Sequence, residues 1–451
     1  MDPLWTMSEL GSLGELVNGT TEINLSGVSI DSRQIQDGDL FIALSGDPGP
    51  RFHGGVDNPR DGHEFIQAAV DNGAAAILLS QPPTEFQAPY IKVEDTLDGL
   101  WSLAALSRQR FLGQVVAITG SAGKTTAKSW LSEVLAPLCQ VHASVGSLNN
   151  HWGVPLTLSR MARDADVGVI EIGTNHVGEI SPLSHLAGPN ISLLLNVLPA
   201  HIGNFGSIDD LRKEKMSIAD GLDPDGVMIL PFSLANERDG EVSFGLESEA
   251  DAHGSYEIVH GVMQVTASIC GEPVQYQLPE PGEHRLLTSL AVLAVVSQLG
   301  LAVSSAAQSL AEITSPKGRG NRTLIDGITI IDDSYNANPV SMIYAIESLN
   351  SSSGRKVALL GEILELGDSS EQYHQQVAEQ FKNLDQVITV GEGFEGCRGT
   401  SHFNNAEEID IAGFVETLQS GDEVLIKGSN KVFWQFGFVD KLISQLCEQK
   451  A

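Results

Sequence analysis

Cysteine is scarce in this chain. Cys139, Cys270, Cys397 and Cys447 are scattered through 451 residues with no Cys-x-x-Cys or histidine-paired spacing, which argues against a disulfide framework and a structural zinc site and fits a reducing compartment. Basic residues are also few. Twenty-six Lys and Arg face 58 Asp and Glu, a formal charge of -32, so no basic stripe exists for a phosphate backbone and no nucleic-acid partner is expected. Any anionic ligand must be held by local groups, because the overall field repels it. Long apolar runs are missing too. Leu286 to Val303 is interrupted by Thr288, Ser289, Ser297 and Gln298 and reads as a buried helix, so no membrane span is expected. Met1-Asp2-Pro3-Leu4-Trp5 shows no basic region leading into an apolar run, so no secretory signal is expected and a cytoplasmic location is.

What the chain does contain is short apolar runs, 46 glycines and 19 prolines, the mark of an α/β protein with many turns. Its length suggests two to four domains, with three as the working count. Between Leu25 and Leu79 short runs alternate with turn clusters, and His63 to Asn72 has helical spacing. The glycine- and proline-rich stretch Gly46 to Gly62 is a candidate functional loop. Val115 to Thr119 reads as a strand buried on both faces, followed by a glycine turn and a helix from about Thr125 to Leu138. Further strands are expected at Val167 to Ile172, Ile191 to Val197 and Val227 to Leu230, an antiparallel insertion at Val242 to Leu278, and helices at Glu283 to Leu299 and Ser304 to Ile313. The basic, glycine-rich joint Ser315 to Arg322 marks a boundary. Beyond it, strands at Ile328 to Ile331, Lys356 to Leu360, Gln386 to Val390 and Glu423 to Ile426 alternate with helices at Ser341 to Leu349, Glu371 to Phe381 and Val432 to Cys447. Such alternation predicts parallel, doubly wound sheets.

The strongest local signal is Thr119-Gly120-Ser121-Ala122-Gly123-Lys124-Thr125-Thr126 between strand and helix. Glycines let the backbone wrap a phosphate, N–H groups at the helix start face the anion, Lys124 supplies a point charge, and Thr125 can bind Mg²⁺. Ile118 stands where the full P-loop pattern has glycine, so this is a shortened form, and the absence of Gly-x-Gly-x-x-Gly here argues against a dinucleotide site. Glu171 is expected at the carboxyl end of a buried strand, where an open sheet has its ligand crevice and a carboxylate suits Mg²⁺. By itself His201 suits a structural donor or a metal ligand, Lys215 a surface cation or a functional group, and Arg319 a linker arginine or a phosphate contact.

The phosphate loop resembles that of the Mur ligase family, and more of the chain agrees in order. Ser29-Ile30-Asp31-Ser32-Arg33 with Gly38 to Leu44 and Asp61-Gly62-His63 resembles the family's first domain. Asn149-Asn150 with Gly153-Val154-Pro155, and Glu171 to His176 with Gly178-Glu179-Ile180, resemble its central domain. Ile331 to Met342 resembles family members that join D-alanyl-D-alanine to UDP-N-acetylmuramoyl-tripeptide. The resemblance implies an α/β fold of three domains: a small N-terminal α/β domain (1–112) for the UDP substrate, a central P-loop ATPase-like doubly wound parallel sheet (113–315), and a C-terminal Rossmann-like domain (316–451). It implies ATP as cosubstrate, bound by Gly120 to Thr126, Arg319, Asp333 and Asn336. Mg²⁺, as one ion or a pair, would lie at Thr125, Glu171 and His201. Ser32, Arg33, Asn149, Asn150, Tyr335 and Asn338 would contact substrate, with Lys124, Glu171, His201 and Lys215 as the catalytic set and a carbamate on Lys215. A monomer is expected. Glu362, Glu365, His374 and Lys427-Gly428-Ser429 match supporting positions.

Three departures from the family pattern stand out. After Gly282-Glu283-His284 come Arg285 and, where an adenine-contacting Asn is usual, Thr288; Asn430 replaces an arginine after Lys427-Gly428-Ser429; and the loop from Asp47 to Arg60 is long. The nearer rival reading is another amide ligase of the family with a different UDP-peptide or amine. The farther is a nucleotide-dependent switch ATPase.

Overall fold

The computed structural model describes residues 3–46, 52, 60–236 and 240–450. The expected loop from Gly46 to Gly62, and the length assigned to its Asp47 to Arg60 part, lie almost wholly outside the described residues. Among those described, three α/β sheets of five, nine and six strands follow one another along the chain.

The first sheet has the order Glu15–Val17, Tyr90–Lys92, Ala76–Leu79, Asp39–Ile42, Gly27–Ser29, parallel except for its first pair. Helix Thr96–Arg110, which the sequence reading did not anticipate, ties this sheet to the next. Asp95 caps it by accepting from the N–H groups of Leu97 and Asp98 at 2.7 and 3.0 Å, the usual device for the orphan donors of a first turn. Its Leu100 and Leu103 enter the core of the first sheet while Ala104 enters that of the second.

The central sheet runs Val141–Ala143, Val167–Glu171, Gln114–Thr119, Ile191–Leu194, Val227–Pro231, Glu241–Gly245, Ala252–Val259, Val262–Ile269, Glu272–Leu278. Strand Gln114–Thr119 shows why it lies at the centre. Val116 and Ile118 point into one hydrophobic core and Val115 and Ala117 into the other, the period-two alternation of a strand covered on both faces. Each such Val or Ile contributes about 1.5–3 kcal/mol through burial. The order of connection reverses around this strand, between its neighbours Val167–Glu171 and Ile191–Leu194, which places the ligand crevice at its carboxyl end.

The stretch Val242 to Leu278, expected as an antiparallel insertion, continues this sheet and is antiparallel only in part. Glu241–Gly245 pairs parallel with Val227–Pro231, and only the last two pairings are antiparallel. Helix Glu283–Gln298 is buried against it, with Leu286, Leu290 and Leu293 in the same core as Trp130 of helix Lys124–Leu135. No described helix is long and apolar enough to cross a membrane. The strand placed at Ile191 to Val197 ends at Leu194, because Asn196 turns its backbone and side chain to the phosphate loop.

The third sheet has the order Asn321–Ile325, Ile328–Asp333, Asp422–Lys427, Arg355–Gly361, Gln386–Val390, Ser401–Phe403. Its first pair is antiparallel and the others are parallel. The final helix starts at Phe438 rather than Val432. A turn precedes it, ending on Gly437 at φ 59°, a left-handed conformation that interrupts a helix and favours glycine.

Candidate active site

A cleft of about 700 Å³ lies where the carboxyl ends of the central and third sheets meet, within the roughly 300–1,000 Å³ of small-molecule sites. Ser121 to Thr126, Asn149, Glu171 and His201 line one wall. Arg319, Asp333, Tyr335, Asn336 and Asn338 line the other. The sequence-predicted residues of these two distant regions of the chain therefore converge on one space. Ser32, Arg33, Asn150 and Lys215 are not among the lining residues.

The phosphate loop begins where strand Gln114–Thr119 ends. Gly123 at φ 79° turns the chain into helix Lys124–Leu135, a conformation in which a side chain would be strained. The first bond of this helix runs from Ala127 N–H to Gly123 O at 2.8 Å, so the first-turn N–H groups of Lys124, Thr125 and Thr126 precede the intrahelical ladder and suit an anion. Ser121 and Ala122 differ from expectation. Their N–H groups donate to Asn196 O at 3.2 Å and Asn196 Oδ1 at 3.0 Å, and Asn196 Nδ2 donates back to Ala122 O at 3.1 Å. These residues brace the loop, and the sequence reading missed Asn196, which carries no local motif.

Lys124 Nζ donates to Gly120 O at 2.8 Å, holding the ammonium over the loop. Desolvation lowers its pKa, Glu171 opposes that shift and Arg319 adds to it. Glu171 is 1% exposed. Its Oε1 accepts from Asn149 Nδ2 at 2.8 Å and from Thr125 Oγ1 at 3.1 Å, while Oε2 lies 3.2 Å from Lys128 Nζ without hydrogen-bond geometry. Lys128, a turn beyond Lys124, was also missed. Its place four residues after Lys124, on the same helix face, was the available signal.

His201 stands in the left-handed region at φ 56°, and Glu365 of the third region does so at φ 64°. The His201 Nδ1 meets Glu365 Oε2, and this contact, ahead of desolvation, gives the Glu365 carboxyl its lowered pKa. Nδ1 is thereby committed, leaving Nε2 as the ring atom for a ligand. Among the described residues no group of three or more His, Cys, Asp or Glu side chains forms a metal cluster. Mg²⁺ needs only one or two carboxylates when phosphates and water complete its shell. The buried Glu171 Oε2, without a hydrogen-bond partner, beside the Thr125 hydroxyl fits that requirement.

Lys215 is 2% exposed, on helix Ile208–Met216, so the surface-lysine reading is overturned. Desolvation first, then repulsion from Lys124, push its pKa well below the usual lysine value against the pull of Glu214 and Glu179. The adjacent Glu214 accepts from the N–H groups of Gly178, Glu179 and Ile180 at 2.7 to 3.0 Å, fastening this helix to the loop after Glu171.

On the opposite wall, the Arg319 guanidinium lies 4.2 Å over the Tyr335 ring and donates to Ser147 Oγ at 3.1 Å, so it bridges two sheets rather than waving in a linker. Strand register sets Asp333 beside Lys427. The Lys427 ammonium donates to Asp333 Oδ2 at 2.6 Å and to Asn336 O at 3.2 Å.

Several expected contacts have structural duties. Asn338 Oδ1 accepts from Ser341 N–H at 2.9 Å and caps helix Pro339–Asn350. Asn150 Oδ1 likewise accepts from Trp152 and Gly153 N–H at 3.2 and 2.9 Å. Arg33 is directed at Asp31, with contacts of 2.9 and 2.8 Å. His374 is buried between Ile363 N–H and Ser370 O. Arg285, which lines the cleft, pairs with Glu280 and donates to Ser315 Oγ at 2.9 Å. Thr288 Oγ1 donates to His284 O at 2.8 Å in its own helix.

The Mur ligase middle-domain family matches residues 118–296, and the Mur ligase glutamate ligase domain family matches residues 318–430. The UDP-N-acetylmuramoyl-tripeptide--D-alanyl-D-alanine ligase of Bacillus subtilis (strain 168) is 31% identical, over 93% of this chain and 94% of its own. A crystal structure of MurF from Acinetobacter baumannii superposes with a TM-score of 0.84 at 30% identity, covering 98% of this chain and 99% of that one. MurF ligase from Thermotoga maritima in complex with ADP gives 0.79 at 28% identity, covering 94% and 98%.

Proposed function

The chain belongs to the Mur ligase family, and from that premise we infer that it is the ATP-dependent ligase that joins D-alanyl-D-alanine to UDP-N-acetylmuramoyl-tripeptide in peptidoglycan precursor synthesis. The observation that carries the reading is one cleft in which a phosphate loop and a buried carboxylate face an arginine and an Asp–Lys pair from a second sheet. We place the domain boundaries at 112/113 and 315/316. We place the enzyme in the cytoplasm, where ATP and UDP-linked precursors are available.

A carboxylate is a poor electrophile with a poor leaving group, and phosphorylation corrects both. A carboxylate oxygen of the tripeptide attacks the γ-phosphorus of ATP and the bond to ADP breaks. The amine of D-alanyl-D-alanine then attacks the carbonyl carbon of the acyl phosphate, phosphate leaves, and the nitrogen loses its proton. Lys124, the first-turn N–H groups and Arg319 offset charge on the moving phosphoryl group. Meeting of the two walls excludes water, which otherwise hydrolyses the acyl phosphate. Thr125, Glu171 and His201 Nε2 would hold Mg²⁺, which supplies charge neutralisation at the phosphates.

Lys215 suits a carbamate. A lowered pKa makes the neutral, nucleophilic amine that attacks CO₂ easier to reach, and the carbamate exchanges repulsion from Lys124 for attraction.

The function is tested by incubating protein, ATP, Mg²⁺ and UDP-N-acetylmuramoyl-tripeptide with a panel of amines and identifying products by mass. D-alanyl-D-alanine should give the main product, with one ADP per bond. ADP formed without product would favour a switch ATPase, and preference for another amine would favour a sister ligase. For the metal, Glu171→Ala and His201→Ala should each move the Mg²⁺ activation curve to higher concentration, by about 10–100-fold for loss of a ligand or its support. A curve unchanged in His201→Ala, with only a lowered Tm, would reduce that histidine to its contact with Glu365.

A further inference from the structure

Glu171 divides its two oxygens between different tasks. Oε1 is saturated by Asn149 and Thr125. Oε2, equally buried, has no partner in hydrogen-bond geometry; the Lys128 ammonium lies 3.2 Å from it, and Lys124 adds a further attraction to the carboxylate. The Lys128 ammonium, with three N–H donors, directs one at Gly146 O, and both side chains are nearly inaccessible, at 6% and 1% exposure. Its position follows from the helix. Lys124 and Lys128 are four residues apart and so share a face, the first over the phosphate loop and the second against the carboxylate. Gly146, at φ 55°, turns its carbonyl to hold the second.

We propose that Lys128 is a positioning residue that balances the charge of Glu171 while leaving Oε2 open, and so weakens the site for a divalent cation until nucleotide phosphates supply further ligands. The proposal rests on the reading of Glu171 as a metal-binding group. A hydrogen bond to Oε2 would block a lone pair, whereas a nearby tethered ammonium stabilises the buried carboxylate and repels an incoming cation. The cation would then bind weakly alone and more tightly with ATP, and leave with ADP.

The test is Mn²⁺ binding to the nucleotide-free protein, followed by loss of the free Mn²⁺ paramagnetic resonance signal, with Glu171→Gln defining the Glu171-dependent component. Lys128→Met and Lys128→Gln should bind Mn²⁺ about tenfold or more tightly than the parent, the scale of a close charge pair. Lys128→Arg should stay near the parent value. Unchanged or weaker binding in folded Lys128→Met and Lys128→Gln overturns the proposal while leaving the metal reading intact. Mn²⁺ binding unaltered by Glu171→Gln overturns both. Should the Lys128 variants fail to fold, Lys128→Met combined with Glu171→Gln must restore the fold, since the charge that needed a partner is gone. A double variant that stays unfolded would assign Lys128 to its Gly146 contact and end the proposal.

Discussion

Lys124→Ala is expected to lower turnover at saturating ATP by about 10²–10³, equivalent to roughly 2.7–4 kcal/mol of transition-state stabilisation. The lysine ammonium is tethered to Gly120 O, so alanine removes one hydrogen bond and the charge that meets the transferring phosphoryl group. The bracing of Ser121 and Ala122 by Asn196 and the first-turn N–H groups remain. The variant should therefore keep its Tm and still bind ADP measurably. The check is single-turnover product formation beside a melting curve. A variant that retains most of its turnover would remove the phosphate-loop assignment, whereas one that loses both turnover and Tm would make Lys124 a structural residue.

Lys215→Met should separate activity from stability in opposite directions. Turnover should fall by at least about 10–100-fold, as for loss of a group that supports a metal site. Methionine fills the same buried space without a charge, so the variant should match the parent or exceed it by up to about 2 kcal/mol. The pH dependence has a definite sign. In the unfolded chain this lysine takes a proton below about pH 10.4, but desolvation and Lys124 keep the folded form unprotonated to a much lower pH. Between those two values the unfolded state binds more protons, so this group lowers the parent's stability as pH falls. The Tm advantage of Lys215→Met should thus widen as pH drops below about 10.4 and level off beneath the folded pKa. The comparison belongs in CO₂-free buffer. A Tm difference independent of pH would show a lysine charged in the fold, and unchanged turnover would dispose of the carbamate.

The elements with strong local patterns were legible in the chain. Val115 to Ile118 alternates between two cores, so its apolar run could only be a doubly covered strand. Gly120 to Thr126 lies between that strand and a helix, as its glycines and lysine required. Glu171 ends the neighbouring strand at the crevice. Helix starts were less legible. Val432 carried the apolar spacing, yet a turn closing on Gly437 delays the helix to Phe438, because left-handed backbone at one residue overrides side-chain periodicity. Asn150 and Asn338 were expected at substrate; the Asn338 oxygen also caps helix Pro339–Asn350 and the Asn150 oxygen accepts from Trp152 and Gly153 N–H, since amide oxygens satisfy orphan N–H groups as readily as ligands.

By itself, the order of residues determined the strand–loop–helix that presents Lys124, the parallel sheets around it and the acidic chain's reliance on local phosphate donors, because each follows from spacing, backbone preference or net charge. Only the tertiary structure decided which distant groups meet. His201 finds Glu365 at a separation of 164 residues, Arg319 reaches Ser147 across 172, and Glu171 is set against Lys128 inside the sheet–helix layer. Such pairs depend on how whole sheets pack and on the desolvation that packing imposes. Neither leaves a period or a motif in the sequence, and the same burial decided between the surface and functional readings of Lys215, giving an amine whose pKa is pushed well below the usual lysine value.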